Sequence, residues 1–253
     1  MLARELLRSE GNGRMTIELP PDTPVWLRGV TEPASMERGD NSSKVRVLRR
    51  LMTLTSPARE AAVLVLFEGS PEPGTGAPGG LPADAHVLLT QRASTMRQHR
   101  GQVAFPGGAT DPEDEGPIDT ALREAAEETG LERAGVQPLT LLPKLFVPPS
   151  RFDVTPVVAY WREPSEVRVV DPAETERVVR VPMSGLLDPA NRFQVRSPLG
   201  YSSPAFQVDG MLVWGLTGGI LAGLITGAGW ELDWDRSDVR DLETSLAALG
   251  MTL

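Results

Sequence analysis

The sequence predicts a mixed α/β protein, an α+β or α/β/α sandwich whose mixed central sheet lies between helices. Three observations carry that expectation. Short, continuous apolar runs bounded by Gly and Pro read as buried strands. The segment 118–129 instead repeats its apolar residues at helical spacing. Strand-like and helix-like segments intersperse along the chain with no internal repeat, which favours layers over a solenoid. An apolar share of 40% and a charged share of 23% over 253 residues are those of an ordinary globular protein, with room for one large domain or two small ones.

Residues 1–57 carry little recognisable chemistry and stand apart as an N-terminal segment of uncertain role, so 58–253 are expected to form the principal domain. In that segment MLARELLRSE reads as a short amphipathic helix, Gly11 to Gly13 as a flexible break, and Lys44 to Leu54 as a helix ended by Ser56-Pro57. Ala61 to Phe67 (AAVLVLF) and His86 to Arg92 (HVLLTQR) read as strands of a hairpin. Its enlarged connection, Glu68 to Ala83, has Gly and Pro throughout and reads as a long flexible loop.

After a Gly-rich turn at Pro106-Gly107-Gly108, Ile118 to Thr129 is expected to be helical, begun by Asp119 or the preceding turn and stopped by Gly130. Ile118, Ala121, Leu122 and Ala125 form its packing stripe. Leu139 to Val147, Thr155 to Trp161 and Val178 to Pro182 are further strands, and Met183 to Leu187 leads into a turn at Asp188-Pro189. Leu212 to Ile225 starts as a strand and becomes a helix despite three glycines, and Ser237 to Leu249 fits a last amphipathic helix.

Composition removes several function classes. Without cysteine there are no disulfides and no thiolate zinc sites. No run of about 18 apolar residues and no clear signal peptide is present, so a cytoplasmic protein without a membrane partner is expected. A net charge of -9 opposes nucleic-acid binding, and the arginines of 92–100 lack the interleaved aromatics such binding uses.

The informative stretch is Gly107 to Leu131, GGATDPEDEGPIDTALREAAEETGL, with eight carboxylates. Glu124, Glu127 and Glu128 stand at i, i+3 and i+4 and converge on one helix face. Like charges so placed repel, and a divalent cation reverses the sign because hard oxygen donors suit Mg2+ or Mn2+. Spacing alone weighs such a site evenly against a solvated helix face.

FPGG followed by LREAAEETGL resembles the Nudix box, the signature of Mg2+-dependent hydrolases of nucleoside diphosphates linked to another moiety. Arg123, Glu124, Ala125, Glu127, Glu128, Gly130 and Leu131 fit that box in order. The loop ahead of them is one residue longer than the usual pattern, which leaves Asp114 and Glu115 as alternatives for the first box carboxylate. LLTQRASTMRQHRGQVAFPGG, Leu88 to Gly108, resembles the second motif of the coenzyme A pyrophosphatase branch, filling its positions with Arg92, Ala93, Arg97, Gly101 and Phe105. LLDPANR and VWGLTGGIL also look like that branch, so the likeness runs from about Ala61 to Leu224.

The resemblance implies a Nudix fold, with the box as a loop–helix–loop, and attack by a metal-activated water on a diphosphate. For coenzyme A the products would be 3′,5′-ADP and 4′-phosphopantetheine. It implies Mg2+ or Mn2+ held by Glu124, Glu127 and Glu128 with the backbone of Gly108, and Glu127 or Glu128 as base. Arg123 would orient a box glutamate through a salt bridge, and Gly107 would let the backbone approach the phosphates. Arg92, Arg97 and Arg100 are the candidates for the 3′-phosphate, which arginine recognises through a bidentate fork.

Glu174 is a downstream acid that could join the site, with Glu176 competing and an exposed loop acid as the alternative. His86, His99, Thr90 and Trp214 read as structural or surface residues. Rival readings are a Nudix hydrolase of ADP-ribose or NADH and a catalytically silent Nudix module; a homodimer is compatible with the unassigned N-terminal segment.

Overall fold

The computed structural model describes residues 7–9, 15–17, 19–31, 58–94, 100–148, 150–198 and 200–251. In chain order the strands are β1 (Leu7–Ser9), β2 (Met15–Ile17), β3 (Arg59–Glu68), β4 (His86–Arg92), β5 (Val103–Ala104) and β6 (Gly107–Ala109). Helix α1 (Pro117–Thr129) follows, then β7 (Val136–Leu141), β8 (Leu145–Val147), β9 (Phe152–Trp161) and β10 (Thr175–Pro182). The rest comprises α2 (Met183–Leu187), β11 (Arg192–Arg196), β12 (Ser202–Val208), β13 (Met211–Val213), α3 (Gly215–Gly227), β14 (Val239–Asp241) and α4 (Leu242–Ala247).

Period-two alternation decides where the core lies. Along β3, Ala62, Leu64 and Leu66 face one side while Val65 and Phe67 face the other, and β9 does the same with Val157, Ala159 and Trp161 against Val158 and Tyr160. The first side receives Ile118, Ala121 and Ala125 of α1. The second receives Trp26, Met183 of α2, and Ile220 and Leu224 of α3. The expected sandwich, a mixed sheet with helices on both faces, is present. The sheet runs β10-β4-β3-β9-β7, with β5 on β4, β6 on β3 and β8 on β9. Strands β3 and β9 pair in parallel from Arg59↔Phe152 to Phe67↔Tyr160, and the other pairs are antiparallel.

The hairpin of β3 and β4 is short, paired only at Phe67↔Val87 and Glu68↔His86, because β6 takes the start of β3 from Ala61↔Ala109 to Val63↔Gly107. That exchange brings the Gly-rich turn against the central strand. The connection expected to be flexible is folded down. The Asp84 carboxylate accepts from Ser70 N at 3.0 Å and Ser70 Oγ at 2.7 Å, Gly74 N–H bonds Gly80 O, and Trp26 Nε1 donates to Ser70 O at 3.0 Å.

Other expectations shift for identifiable reasons. Leu7–Ser9 is a strand paired with Met15–Ile17, not part of a helix. A helix that short is marginal in water, and the expected break at Gly11 to Gly13 lies outside the described residues. Leu139 to Val147 divides into β7 and β8 around Pro143, which has no N–H for the ladder. The last helix begins only at Leu242, where Asp241 Oδ1 accepts from Thr244 N–H at 2.8 Å as a cap, and Val239–Asp241 pairs in parallel with β11 instead. That pairing completes a second sheet, β13-β12-β11-β14, not foreseen from the sequence. The alternation of Phe193 and Val195 with polar residues was its signal. The expected helix over Lys44 to Leu54 lies outside the described residues.

The N-terminal segment reaches the core. In the 3-10 helix Val25–Thr31, Trp26, Leu27 and Val30 are buried, and the Trp26 ring meets Phe67, Tyr160 and Trp230 with centroids 6.5, 6.4 and 5.7 Å away. Trp26→Ala is therefore expected to cost about 3–5 kcal/mol in a urea titration. A loss under 1 kcal/mol would detach this segment from the domain.

Candidate functional site

Helix α1 starts one residue earlier than the sequence predicts because Pro117 supplies a preset φ, with Gly116 rather than Asp119 at its cap. Asp119 instead accepts from Glu115 N–H and pairs with Arg133. The helix stops as expected at Gly130, left-handed at φ 71°, whose N–H bonds Ala126 O at 2.9 Å. Ile118, Ala121 and Ala125 point into the core, so Arg123, Glu124, Glu127 and Glu128 are left on the faces toward the Gly-rich turn and solvent.

Arg123 is the hub. Its Nε and Nη2 each lie 2.9 Å from Asp114, on Oδ1 and Oδ2, a bidentate fork. Nη2 also donates to Ala109 O at 3.0 Å, and Nη1 to Glu124 Oε1 at 3.0 Å and Glu127 Oε2 at 3.2 Å. Asp114 further accepts from Thr120 Oγ1 and Asp111 N–H at 2.9 Å each. The Arg123 fork holds the Asp114 carboxyl well below the usual carboxylate range, against its burial. Of the two alternatives, Asp114 is thus the one that meets Arg123, while Glu115 is exposed.

Glu128 sits deeper. Burial pushes its carboxyl up to about 7; the Gly107 N–H, which donates to Oε2 at 3.2 Å, and the Arg92 charge oppose that, while Glu124 and Glu174 add to it. Gly107 has φ 156°, and a Cβ there would fall 2.4 Å from Ala62 O, so only glycine presents this N–H so close to β3. Its donor thus goes to Glu128. At Gly108 a Cβ would fall 2.4 Å from Glu124 Oε2. Burial also raises the Glu124 carboxyl, with Arg123 opposing. Glu127 is the outer member, its side chain 60% exposed.

Among the described residues no three His, Asp or Glu side chains converge as a preassembled cation cage. Arg123 draws Glu124 and Glu127 toward itself. The donors nevertheless fit a hard divalent cation: three carboxylates on one helix face, two of them made reluctant to ionise by burial, beside a backbone that glycine keeps open.

Around them the structure gathers some of the expected residues and not others. Arg92, at the end of β4, is near enough for its charge to act on Glu128, and so is Glu174. The Glu174 side chain is exposed, and its carbonyl accepts from Ala93 N–H at 2.8 Å. Glu176 turns instead to Ser94 N–H. Arg97 and His99 lie outside the described residues, and Arg100 is exposed. Thr90 is buried within β4, His86 Nδ1 meets Asp84 O at 2.8 Å, and Trp214 packs at the edge of the second sheet's core.

With that geometry in place, comparison with known proteins is decisive. The NUDIX domain model matches residues 72–197. A Nudix hydrolase of Photorhabdus laumondii, NudL, described as uncharacterized, is 34% identical over 171 residues, covering 66% of this chain and 84% of the relative. The chain belongs to the Nudix hydrolase family. The NudL protein of Cronobacter sakazakii, likewise uncharacterized, is 44% identical over 117 residues, 46% of this chain and 54% of its own, so the match spans about half of that relative. A solved Nudix hydrolase of M. smegmatis, RenU, is 27% identical with a TM-score of 0.38, covering 52% of this chain and 75% of that one. No helix among the described residues is long and apolar enough to cross a membrane.

Two outcomes follow for the Nudix box. Asp114→Asn should lose about 2–3 kcal/mol by urea denaturation at pH 7, because it leaves Arg123 without its fork, whereas Glu115→Gln should stay within about 0.5 kcal/mol. Equal losses would leave the first box position undecided. Glu128 has the opposite linkage. With its folded pKa raised above 4.5, the native state binds more protons, so stability falls as pH rises from about 4.5 to 7 and stays lower above. In chelator, Glu128→Gln should therefore exceed wild type by on the order of 1–3 kcal/mol at pH 8 and show no gain at pH 4.5. A pH-independent difference would contradict the burial of this charge.

Proposed function

We propose that this Nudix chain hydrolyses the diphosphate of coenzyme A or its derivatives, with Mg2+ or Mn2+, to 3′,5′-ADP and 4′-phosphopantetheine or its acyl form. The observation that carries the reading is the position of Arg92. It belongs to the segment 88–108 that resembles the coenzyme A branch motif, and its charge acts on the buried Glu128. A cation of that segment thus lies within electrostatic reach of Glu128. Arg97 belongs to the same proposal from its sequence position, and the cytoplasm is the proposed location.

Glu124, Glu127 and Glu128 would hold the divalent ion, which supplies acidified water and offsets the charge of the diphosphate. Water attacks one phosphorus, the bond to the bridging oxygen breaks, and the departing phosphate keeps the bonding electron pair. Glu128 takes the proton of the attacking water; its enclosure and single N–H partner suit it to that role better than the exposed Glu127. Arg123 keeps Glu124 and Glu127 in place while Asp114 keeps Arg123 in place. Arg92 binds phosphate oxygen, and Glu174 adjusts the local charge from the rim.

Mass-spectrometric product analysis tests this with coenzyme A, ADP-ribose and NADH, each with Mg2+ and with Mn2+. Release of 4′-phosphopantetheine and 3′,5′-ADP is expected, with Glu128→Gln lowering the rate at least about 100-fold. Cleavage of ADP-ribose or NADH alone would keep the box and discard the phosphate role of Arg92. No cleavage of any substrate would favour a silent binding module.

A further inference from the structure

Met251 lies outside the stretch that resembles the coenzyme A branch, yet it touches the base of the segment that carries Arg92. That base is tightly specified. Arg92 N–H bonds Gln102 O at 3.0 Å, Gly101 N–H bonds Arg92 O at 3.2 Å, and Ala93 N–H bonds Glu174 O at 2.8 Å. Gly101 closes the turn at φ 63°, a conformation that side chains disfavour.

Against this turn rests Met251. A Cβ on Gly101 would lie 3.3 Å from Met251 Sδ. Gln91, buried beside Arg92 in β4, sends its Nε2 to Gly101 O at 3.4 Å and to Met251 Sδ at 3.7 Å. Its Oε1 receives Arg177 Nη1 at 3.5 Å. Met251 is itself anchored, because its N–H bonds Leu246 O at 3.0 Å and Leu246 is buried in the core of the second sheet. A path of contacts therefore runs from the second sheet through α4 and Met251 to Gly101, Gln91 and the main chain of Arg92. Methionine suits such a joint, since its unbranched, polarizable chain fills an irregular gap.

We propose that Met251 is a positioning residue for Arg92, with the C-terminal helix serving as a strut that sets the guanidinium against the box carboxylates. The inference deepens the phosphate-binding reading of Arg92 and rests on it for its kinetic consequence. Arg92 acts in binding, so loss of the strut weakens the grip on substrate and leaves the bond-breaking step intact.

Full-length Met251→Ala, Met251→Leu and Gln91→Leu are compared with wild type, using coenzyme A and Mn2+ for kinetics and amide exchange without substrate for the joint. Met251→Ala should raise KM roughly three- to tenfold with kcat within about twofold, and speed amide exchange at Arg92, Ala93, Gly101 and Gln102. Met251→Leu, which refills the gap, should restore both, and Gln91→Leu should reproduce the exchange change from the other side of the joint. Unchanged exchange at those amides in Met251→Ala overturns the strut, as does a loss confined to kcat. If wild type does not cleave coenzyme A while the exchange change is present, the substrate reading fails and the strut stands.

Discussion

The double hydrogen bond between Arg123 and Asp114 is the interaction on which the box depends. A guanidinium on the second turn of α1 would repel a divalent cation if it were free to swing over the carboxylates. With two of its nitrogens fixed at 2.9 Å on Asp114 and one of them also on Ala109 O, the plane of the group is set. What remains, Nη1, faces Glu124 and Glu127. The same contacts tie the acidic loop to the helix, so the lengthened loop is closed by the residue that needs it.

Near the end of the helix the problem is reversed. Among the described residues Glu128 meets the Gly107 N–H and the charge of Arg92 but no cationic fork, and burial outweighs both. The loop and the helix thus carry two carboxylates under opposite pressure, Arg123 favouring charge on Asp114 and burial suppressing it on Glu128.

Much of this was legible in the sequence where local rules decide. The bounds of His86–Arg92 and the stop at Gly130 follow from β-branched runs and a left-handed glycine. The common face of the three glutamates follows from helical spacing. What was not legible depends on pairing between distant residues. That Gly107 aims its N–H at Glu128 requires β6 to displace β4 from the start of β3. That Asp114 rather than Glu115 meets Arg123 requires the closed shape of the loop. Trp26 carries no local sign that it enters the core, since its partners Phe67, Tyr160 and Trp230 are scattered along the chain. Met251 is similarly silent until the second sheet is built.

The parallel pair of β3 and β9 has a kinetic meaning as well. Everything from the Gly-rich turn to the end of α1 lies in the chain between those two strands, which align from Arg59↔Phe152 to Phe67↔Tyr160. Closing so long a loop before any ladder forms is entropically slow, and α1 packs on the surface that the pair creates. A nascent or partly melted molecule therefore lacks the surface on which Ile118, Ala121 and Ala125 pack. The surface behind the Nudix box is completed in the same event that joins the two central strands.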